Sequence, residues 1–559
     1  MHRSIVRRVA LGTVGVLVAA VLPLFAAPPA FAAVTFSFSG GTETVRGTSG
    51  NDSISVTCVG GNLWAAGQDS GTACADATHL VVNGLGGNDT LSIQAVDATS
   101  FPSMVGCRLL GGPGDDSLQS SPLDDVVKGG GGRDILRPQG GHDLLSGGKG
   151  WDELYAQNGH NQTLTNTTYK GLGHATLKDI ETAALNSGSG DDTIDTTGWT
   201  KKGSYLQLSG GDGNDTLLGG PTVESLNGGA GADTLAGGGG GDALYPDAGT
   251  SPSDDVVHGG PGNDLLYLSM YSSGTITDSA TTLAGNDTIG SIERITASPA
   301  STFPGPVIVD STAFSGNVDV TGSMLADTFT AGPGDDSFSP GKGNDTFVGH
   351  GGTDRISVDL TGGGSVNVSA SGVSSTSDGT DSFSGVERAF VYGDATAQTF
   401  GASAFAGKVF IYGGGGSDAV NGNGANTTFS YQQALTPVTV TDGDLTTATD
   451  DVSLGGSVGR VIVGAASTTS PVSMDAHAFS GAVEFYGGDE RDTFIGTAHA
   501  DKLGGFGGND VLKGLGGNDI LWGATGKDTF RGGPGFDRCD ATPTEDATSC
   551  EGTAPPLPT

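Results

Sequence analysis

Glutamate is scarce in this acidic chain. Only ten of its 62 carboxylates are Glu, the rest are Asp, and 25 Lys and Arg leave a formal charge of −37. A general demand for acidity would draw on both residues. A bias to the shorter one points to carboxylates held close to tight backbone turns. The shortage of cations argues against direct nucleic-acid binding and against attraction to anionic membranes, and favours a cation as partner. Aromatics are few, at 6%, and no helical apolar stripe of useful length follows the first thirty residues. There is no H-E-x-x-H, so a metalloprotease centre of that type is absent. The nine His are scattered and make no paired zinc-ligand spacing. Five Cys fit an oxidising compartment. Cys58 and Cys74 are near enough in sequence to close a local loop, as are Cys539 and Cys550. Cys107 is left over, with an alternative partner open to it. No His stands near a Cys in a nucleophile-like context, so catalytic thiol chemistry is not expected.

What is abundant is glycine, 100 of 559 residues, without the strict three-residue period of collagen. At the N-terminus, Arg3, Arg7 and Arg8 precede the apolar run from Val9 to Leu22. Ala30-Phe31-Ala32 then offers a small-x-small cleavage pattern. Pro23, Pro28 and Pro29 interrupt the segment, against a membrane anchor. The expectation is a signal peptide over residues 1–32 and a secreted, extracellular protein.

A period of nine dominates the rest. Residues 111–155 divide into GGPGDDSLQ, SSPLDDVVK, GGGGRDILR, PQGGHDLLS and GGKGWDELY. The sixth position is always acidic (Asp116, Asp125, Asp134, Asp143, Asp152) and the eighth always apolar (Leu118, Val127, Leu136, Leu145, Leu154). Residues 487–540 hold six further rows without a slip, with Asp492, Asp501, Asp510, Asp519, Asp528 and Asp537 at the acidic position. Between them, residues 210–245 carry Asp215, Glu224, Asp233 and Asp242, and Asp255 and Asp264 resume the pattern after an insertion. Residues 322–357 add Asp327, Asp336, Asp345 and Asp354. Single or degenerate rows surround Asp52, Asp89, Asp192, Asp287 and Asp418. A longer repeat links the later arrays: SIERITAS, GVERAFVYG and SVGRVIVG align, and each is followed by STAFSGNVDV, ASAFAGKVFI or AHAFSGAVEF. These stretches alternate apolar and polar residues and read as short strands.

The rows match G-G-x-G-x-D-x-U-x, a known calcium-binding parallel β-helix signature, and the chain resembles the repeats-in-toxin (RTX) family. The resemblance implies a right-handed roll in which six residues of each row turn and bind metal while three form a strand. Two rows then complete one coil. Glu224 and rows poor in glycine, such as SSPLDDVVK, depart from the family pattern. The fold expected is all-β: a parallel β-roll or β-helix solenoid with several calcium-binding arrays joined by wider solenoid turns. The expected divisions are a signal peptide (1–32), an N-terminal β segment (33–110), calcium rolls at 111–165, 210–268, 322–357 and 487–540, β segments between them at 166–209, 269–321 and 358–486, and a capping tail (541–559).

Elementary electrostatics makes the metal more than an ornament. Carboxylates stacked at about 5 Å repel by roughly 3 kcal/mol at an effective dielectric near 20. Hard oxygen ligands in a flexible cage favour Ca²⁺ over softer metals, and over Mg²⁺ with its strict octahedron. Multiple Ca²⁺ ions are expected between acids 18 residues apart, such as Asp116 with Asp134, Asp125 with Asp143, and Asp510 with Asp528. Catalytic residues are not expected. Gly455 to Gly459 matches G-x-S-x-G but lacks the strand–helix context of a nucleophile elbow. The pairs Asp115–Asp116, Asp191–Asp192 and Asp335–Asp336 suit a glycosidase reading, yet their second members sit in the metal register. The function expected is a non-catalytic extracellular calcium-binding module, partnered by calcium ions and by extracellular polysaccharide or cell-surface components, with no nucleic acid and no membrane insertion. The alternatives are a cell-surface adhesin and a polysaccharide-acting lyase, epimerase or hydrolase with its site in the wider turns.

Overall fold

Nine-residue rows with a single inward side chain cannot close a core alone; they must stack, and the chain does so by winding. The structure is a computed structural model that describes residues 34–555 apart from 158, 248–251, 361–363, 378, 435–436, 449, 456–457, 466–469 and 543–544. The expected signal peptide and Ser457 of the G-x-S-x-G match lie outside the described residues. The chain forms two compact units, parted between Thr302 and Phe303. Each is a parallel β-roll, and no helix occurs among the described residues.

In the first unit, Ser117–Gln119, Ile135–Arg137 and Glu153–Gln157 pair in parallel on one side, with Leu118, Leu136 and Leu154 in register. The intervening rows make Asp125–Gly131 and His142–Lys149 on the other side, with Val127 opposite Leu145. Rows n and n+2 therefore stack, as expected from an 18-residue coil. The eighth-position side chains meet between the two sheets: Leu118, Leu136, Leu145 and Leu154 are fully buried and Val127 is 1% exposed. The second unit uses larger residues at the same place. Phe329, Phe338 and Phe347 are fully buried, and Phe329 stacks on Phe347 with centroids 5.2 Å apart. Phe494, Leu512 and Phe530 line up in the C-terminal rows.

The wider turns take a particular form. In the first unit Gln162–Thr165, Thr168–Lys170 and His174–Lys178 make a meander whose middle strand is antiparallel to both neighbours. Its outer strands pair in parallel with the coils on either side, Leu145 opposite Leu177 and Gln162 opposite Ile194. The second unit repeats this at Gly364–Val368, Gly372–Ser375 and Gly379–Ser384, and again at Val438–Thr441, Asp444–Thr446 and Asp451–Ser453. The residues inserted ahead of these coils thus add strands to one sheet and leave the other its ordinary stacking.

Disulfides and local pairing close the ends. Cys58–Cys74 staples an excursion of Ser53–Val59, Asn62–Ala65 and Gln68–Ala73. Cys539–Cys550 ties the tail to the last row, where Gly552–Thr553 pairs with Arg538–Cys539 and Trp522 Nε1–H donates to the Pro555 carbonyl at 2.6 Å. This closes the open end of the stack, which a solenoid needs for solubility. Cys107 is free and 2% exposed, with its thiol pushed up by burial and by Asp125 beside it. Denaturation without reductant followed by iodoacetamide should therefore add one carbamidomethyl group, on Cys107, by intact mass and peptide mapping. Modification of Cys539 or Cys550 would mean that the terminal staple is open.

Candidate functional site

The sixth-position aspartates lie at the corners where turn passes into strand, and they form hydrogen-bonded ladders. In the first unit the Asp52 N–H donates to Asp89 Oδ1 (2.8 Å), Asp89 to Asp116 (2.8 Å), Asp116 to Asp134 (2.9 Å) and Asp134 to Asp152 (2.9 Å). Further ladders there run from Asp192 through Asp215, Asp233 and Asp255 to Asp287, and from Glu224 through Asp242 to Asp264. A short one joins Asp125 to Asp143. In the second unit Asp327 donates to Asp345 and Asp345 to Asp381, Asp336 to Asp354, Asp492 to Asp510 and Asp510 to Asp528, Asp501 to Asp519 and Asp519 to Asp537. All twenty aspartates expected as ligands are in these ladders, and all are buried.

In nineteen of the twenty Oδ1 accepts a backbone N–H, from the ladder or, at the ladder heads Asp327, Asp336, Asp492 and Asp501, from Val307, Val318, Val472 and Val483, while Asp125 Oδ1 is buried without a partner; the fate of Oδ2 divides them. In Asp116, Asp134, Asp152, Asp215, Asp233, Asp242, Asp264, Asp345, Asp354, Asp510, Asp519, Asp528 and Asp537, Oδ2 is buried with no hydrogen-bond partner. In the other seven a protein donor takes it or its partner oxygen. Oδ2 of Asp327, Asp336, Asp492 and Asp501 accepts the N–H of Ser323, Gly332, Gly488 and Thr497 in its own row. Ser121 serves Asp125, Ser120 serves Asp143 and Ser253 serves Asp255.

The backbone at the second position of the row decides which outcome holds. Where it adopts positive φ, its N–H turns away from its own aspartate, and the open oxygen results. Gly112, Gly130 and Gly148 do this at +121°, +128° and +117°. More telling are residues with a side chain: His350 at +64°, Phe506 at +73°, Leu515 at +78° and Ala524 at +64° stand before Asp354, Asp510, Asp519 and Asp528. Such a conformation costs a non-glycine residue roughly 1–2 kcal/mol. None of Ser121, Ser323, Gly332, Gly488 and Thr497 has positive φ. The same signature, positive φ with an open Oδ2, marks Asp89, Asp192 and Asp418 in the degenerate rows. Asp287 has the open oxygen without positive φ among its row's second residues.

The first-position glycine leaves room beside that oxygen. A Cβ on Gly111 would lie 2.2 Å from Asp116 Oδ2 and 2.7 Å from the Gly129 carbonyl; on Gly514 it would lie 2.0 Å from Asp519 Oδ2 and 2.8 Å from the Gly532 carbonyl. An unsatisfied buried carboxylate oxygen and a backbone carbonyl thus face one small space. Such hard oxygens suit a calcium ion. Among the described residues no three His, Cys, Asp or Glu side chains gather into one metal-holding group, because each coil contributes a single acid per corner and carbonyls must supply the remaining oxygens.

Two features of the ladders were not anticipated. Glu181, Glu293, Glu387 and Glu551 end them: their Oε2 atoms accept the N–H of Asp152, Asp264, Asp354 and Asp537 at 2.8–2.9 Å. The signal was present in the I-E-R and V-E-R of the longer repeat. Outside the acid ladder runs a second one at the fifth position. Asn88 Oδ1 accepts from Asp115 N–H, Asp115 Oδ1 from Arg133, Asn317 Oδ1 from Asp335, and Asp335 Oδ1 from Thr353. The frequent N-D and D-D dipeptides therefore serve two parallel hydrogen-bond columns.

Burial without countercharge shifts the acids. Desolvation pushes Asp134, Asp233, Asp345, Asp354, Asp510 and Asp519 up to about 7, opposed by the ladder N–H and reinforced by neighbouring acids. Asp116, Asp152, Asp215 and Asp528 move the same way, for the same leading cause.

A family model described as the RTX calcium-binding nonapeptide repeat (4 copies) matches residues 39–55, 110–145, 139–162, 207–222, 218–251, 250–269, 321–356, 406–429 and 504–539. No curated protein matches the chain. Among solved structures, the extracellular lipase LipA from Serratia marcescens aligns at 15% identity over 48% of this chain and 42% of that one, with a TM-score of 0.16. The chain thus spans less than half of that lipase, and a score so low carries no argument.

Without metal, the folded state holds more protons than the unfolded chain between about pH 4 and about pH 7, because its aspartates have raised values. Stability of the metal-free rolls is therefore greatest below the ordinary aspartate range and is lost as pH rises toward 7. Circular dichroism melts in chelator should show the midpoint falling from about pH 4 to about pH 7. Calcium midpoints should move the other way, tightening over the same range as protons cease to compete.

Proposed function

We propose that this calcium-binding repeat protein, whose rows match the RTX calcium-binding nonapeptide repeat, is a secreted, non-catalytic extracellular module whose rolls are completed by calcium. The observation that carries this reading is the row of open, buried Oδ2 atoms, many of them, such as those of Asp116, Asp215, Asp233 and Asp519, beside a backbone carbonyl. Calcium supplies positive charge and a many-coordinate oxygen-seeking centre. The chain's own part is to hold one carboxylate oxygen in the ladder, turn the second-position N–H away, and keep the other oxygen facing the gap. The thirteen aspartates of the expected set with open Oδ2 are the ligands, joined by Asp89, Asp192 and Asp418. Asp125, Asp143, Asp255, Asp327, Asp336, Asp492 and Asp501 are structural, their Oδ2 atoms serving protein donors, with Asp125 Oδ1 alone among them left buried without a partner. The paired carboxylates at 115–116, 191–192 and 335–336 are taken up by the two ladders, which supports a binding role over glycosidic chemistry.

Calcium titration followed by far-ultraviolet circular dichroism should show a cooperative gain of β structure at roughly 10⁻⁴–10⁻³ M, the range of extracellular modules. Retention of the same signal after exhaustive chelation would remove calcium from the folding of this chain. The division of ligands has its own test. Asp519→Asn keeps the ladder acceptor but replaces the open oxygen with an amide, and should lower the number of ions bound in equilibrium dialysis. Asp492→Asn leaves one oxygen for the two N–H groups of Val472 and Gly488 that the carboxylate accepts, and should leave that number unchanged while lowering the melting midpoint. Equal loss of ions from both variants would reject the division.

A further inference from the structure

The second unit carries an exposed surface that the calcium ladders do not use. Strands Arg388–Tyr392 and Lys408–Tyr412 pair in parallel with Arg388 opposite Lys408, Phe390 opposite Phe410 and Tyr392 opposite Tyr412. Ala389, Val391, Val409 and Ile411 point inward and are buried, so the other three residues of each strand face outward. Phe390 stacks on Phe410 with centroids 4.8 Å apart and planes 11° apart, and Tyr392 stacks on Tyr412 at 4.8 Å and 9°. Arg388 and Lys408 are exposed and have no ion-pair partner among the described residues. Arg355, the next rung, pairs with Asp319 at 3.2 Å.

The chain contains its own control. The repeat that places Phe390 and Tyr392 here places Thr296 and Ser298 in the earlier copy and Ile462 and Gly464 in the later one. The segment that supplies Lys408, Phe410 and Tyr412 supplies Asn317, Asp319 and Thr321 in the earlier copy. The later copy builds the same parallel pairing, Arg460 opposite Ala482 and Ile462 opposite Glu484, and the earlier copy's two segments each pair in parallel with a neighbouring strand of their own unit. The scaffold therefore does not need four outward rings, and two unpaired cations at adjacent rungs repel each other unless an anion lies against them.

The geometry points to a binding surface for an acidic polysaccharide. Pyranose C–H faces would lie on the Phe390–Phe410 and Tyr392–Tyr412 stacks, and uronate carboxylates would meet Arg388 and Lys408. The platform is about 13 Å along the strands and two rungs, about 4.8 Å apart, across them, a size that fits a short run of sugar rings. Charge complementarity favours a sparsely charged polymer: the cations attract isolated carboxylates, while a chain of net charge −37 repels a polyanion as dense as nucleic acid. This surface rests on the calcium-folded state for its strand register.

The test uses the full chain in calcium with hyaluronate, dextran and oligothymidylate as probes, each sample checked by circular dichroism. The wild type should bind hyaluronate in preference to dextran and to oligothymidylate. Phe390→Thr with Tyr392→Ser, the residues the chain itself uses at 296 and 298, should weaken hyaluronate binding roughly tenfold or more with an unchanged spectrum and calcium response. Lys408→Asn should weaken it and flatten its salt dependence. A folded wild type that ignores hyaluronate, folded variants that bind it as well, or tighter binding of oligothymidylate would each overturn the assignment. A wild type that does not fold in calcium would instead count against the calcium reading.

Discussion

The interaction on which each roll depends is a backbone N–H donating to a carboxylate one coil further on. It fixes the height of every turn above the last, holds each aspartate with one oxygen engaged, and leaves the second oxygen to be dealt with locally. Because the donor belongs to one aspartate and the acceptor to the next, the column has a direction and two distinct ends. A protein donor from a first row satisfies the spare oxygen at one end, as at Asp336 and Asp501. The longer arm of a glutamate closes the other, as at Glu387 and Glu551.

Within a column, the spare oxygen is costly. A buried carboxylate oxygen without a donor loses its hydration and gains nothing in return. The protein nonetheless maintains many of them, and holds His350, Phe506, Leu515 and Ala524 in left-handed backbone conformations that prevent the obvious remedy. Strain and desolvation concentrated at the same corner point to a partner outside the chain. Calcium is the partner whose preference for clustered hard oxygens fits the donor set, and its charge offsets the desolvation, and the lesser repulsion between neighbours, that lift these acids toward neutral pH.

The outward faces answer to different constraints. Inward residues must fill the space between two sheets and are apolar in nearly every row. Outward residues need only tolerate water, so polar side chains suffice, as Thr296, Ser298, Asp319 and Thr321 show. Departures from that rule, such as the rings and cations of 388–412, are informative because no packing demand explains them.

Much of this was legible in the residues. The nine-residue period, the inward eighth position, the 18-residue stacking and the acidic corners all follow from spacing, since each row is one repeat of turn and strand and its periodicity survives folding unchanged. The closeness of Cys539 to Cys550 likewise matched the closed terminal loop. What spacing could not separate was Asp510 from Asp501, because both stand at the sixth position of a row. They differ in whether the N–H four residues earlier faces them, a matter of backbone φ at Phe506 and Thr497 that depends on stacking against the coil before. The glutamate ends, the fifth-position Asn and Asp column, and the folding of the segments ahead of the longer repeats into meanders also required the stack itself. A sequence determines which groups recur and how often; only the wound chain determines which neighbour, one coil away, each of them meets.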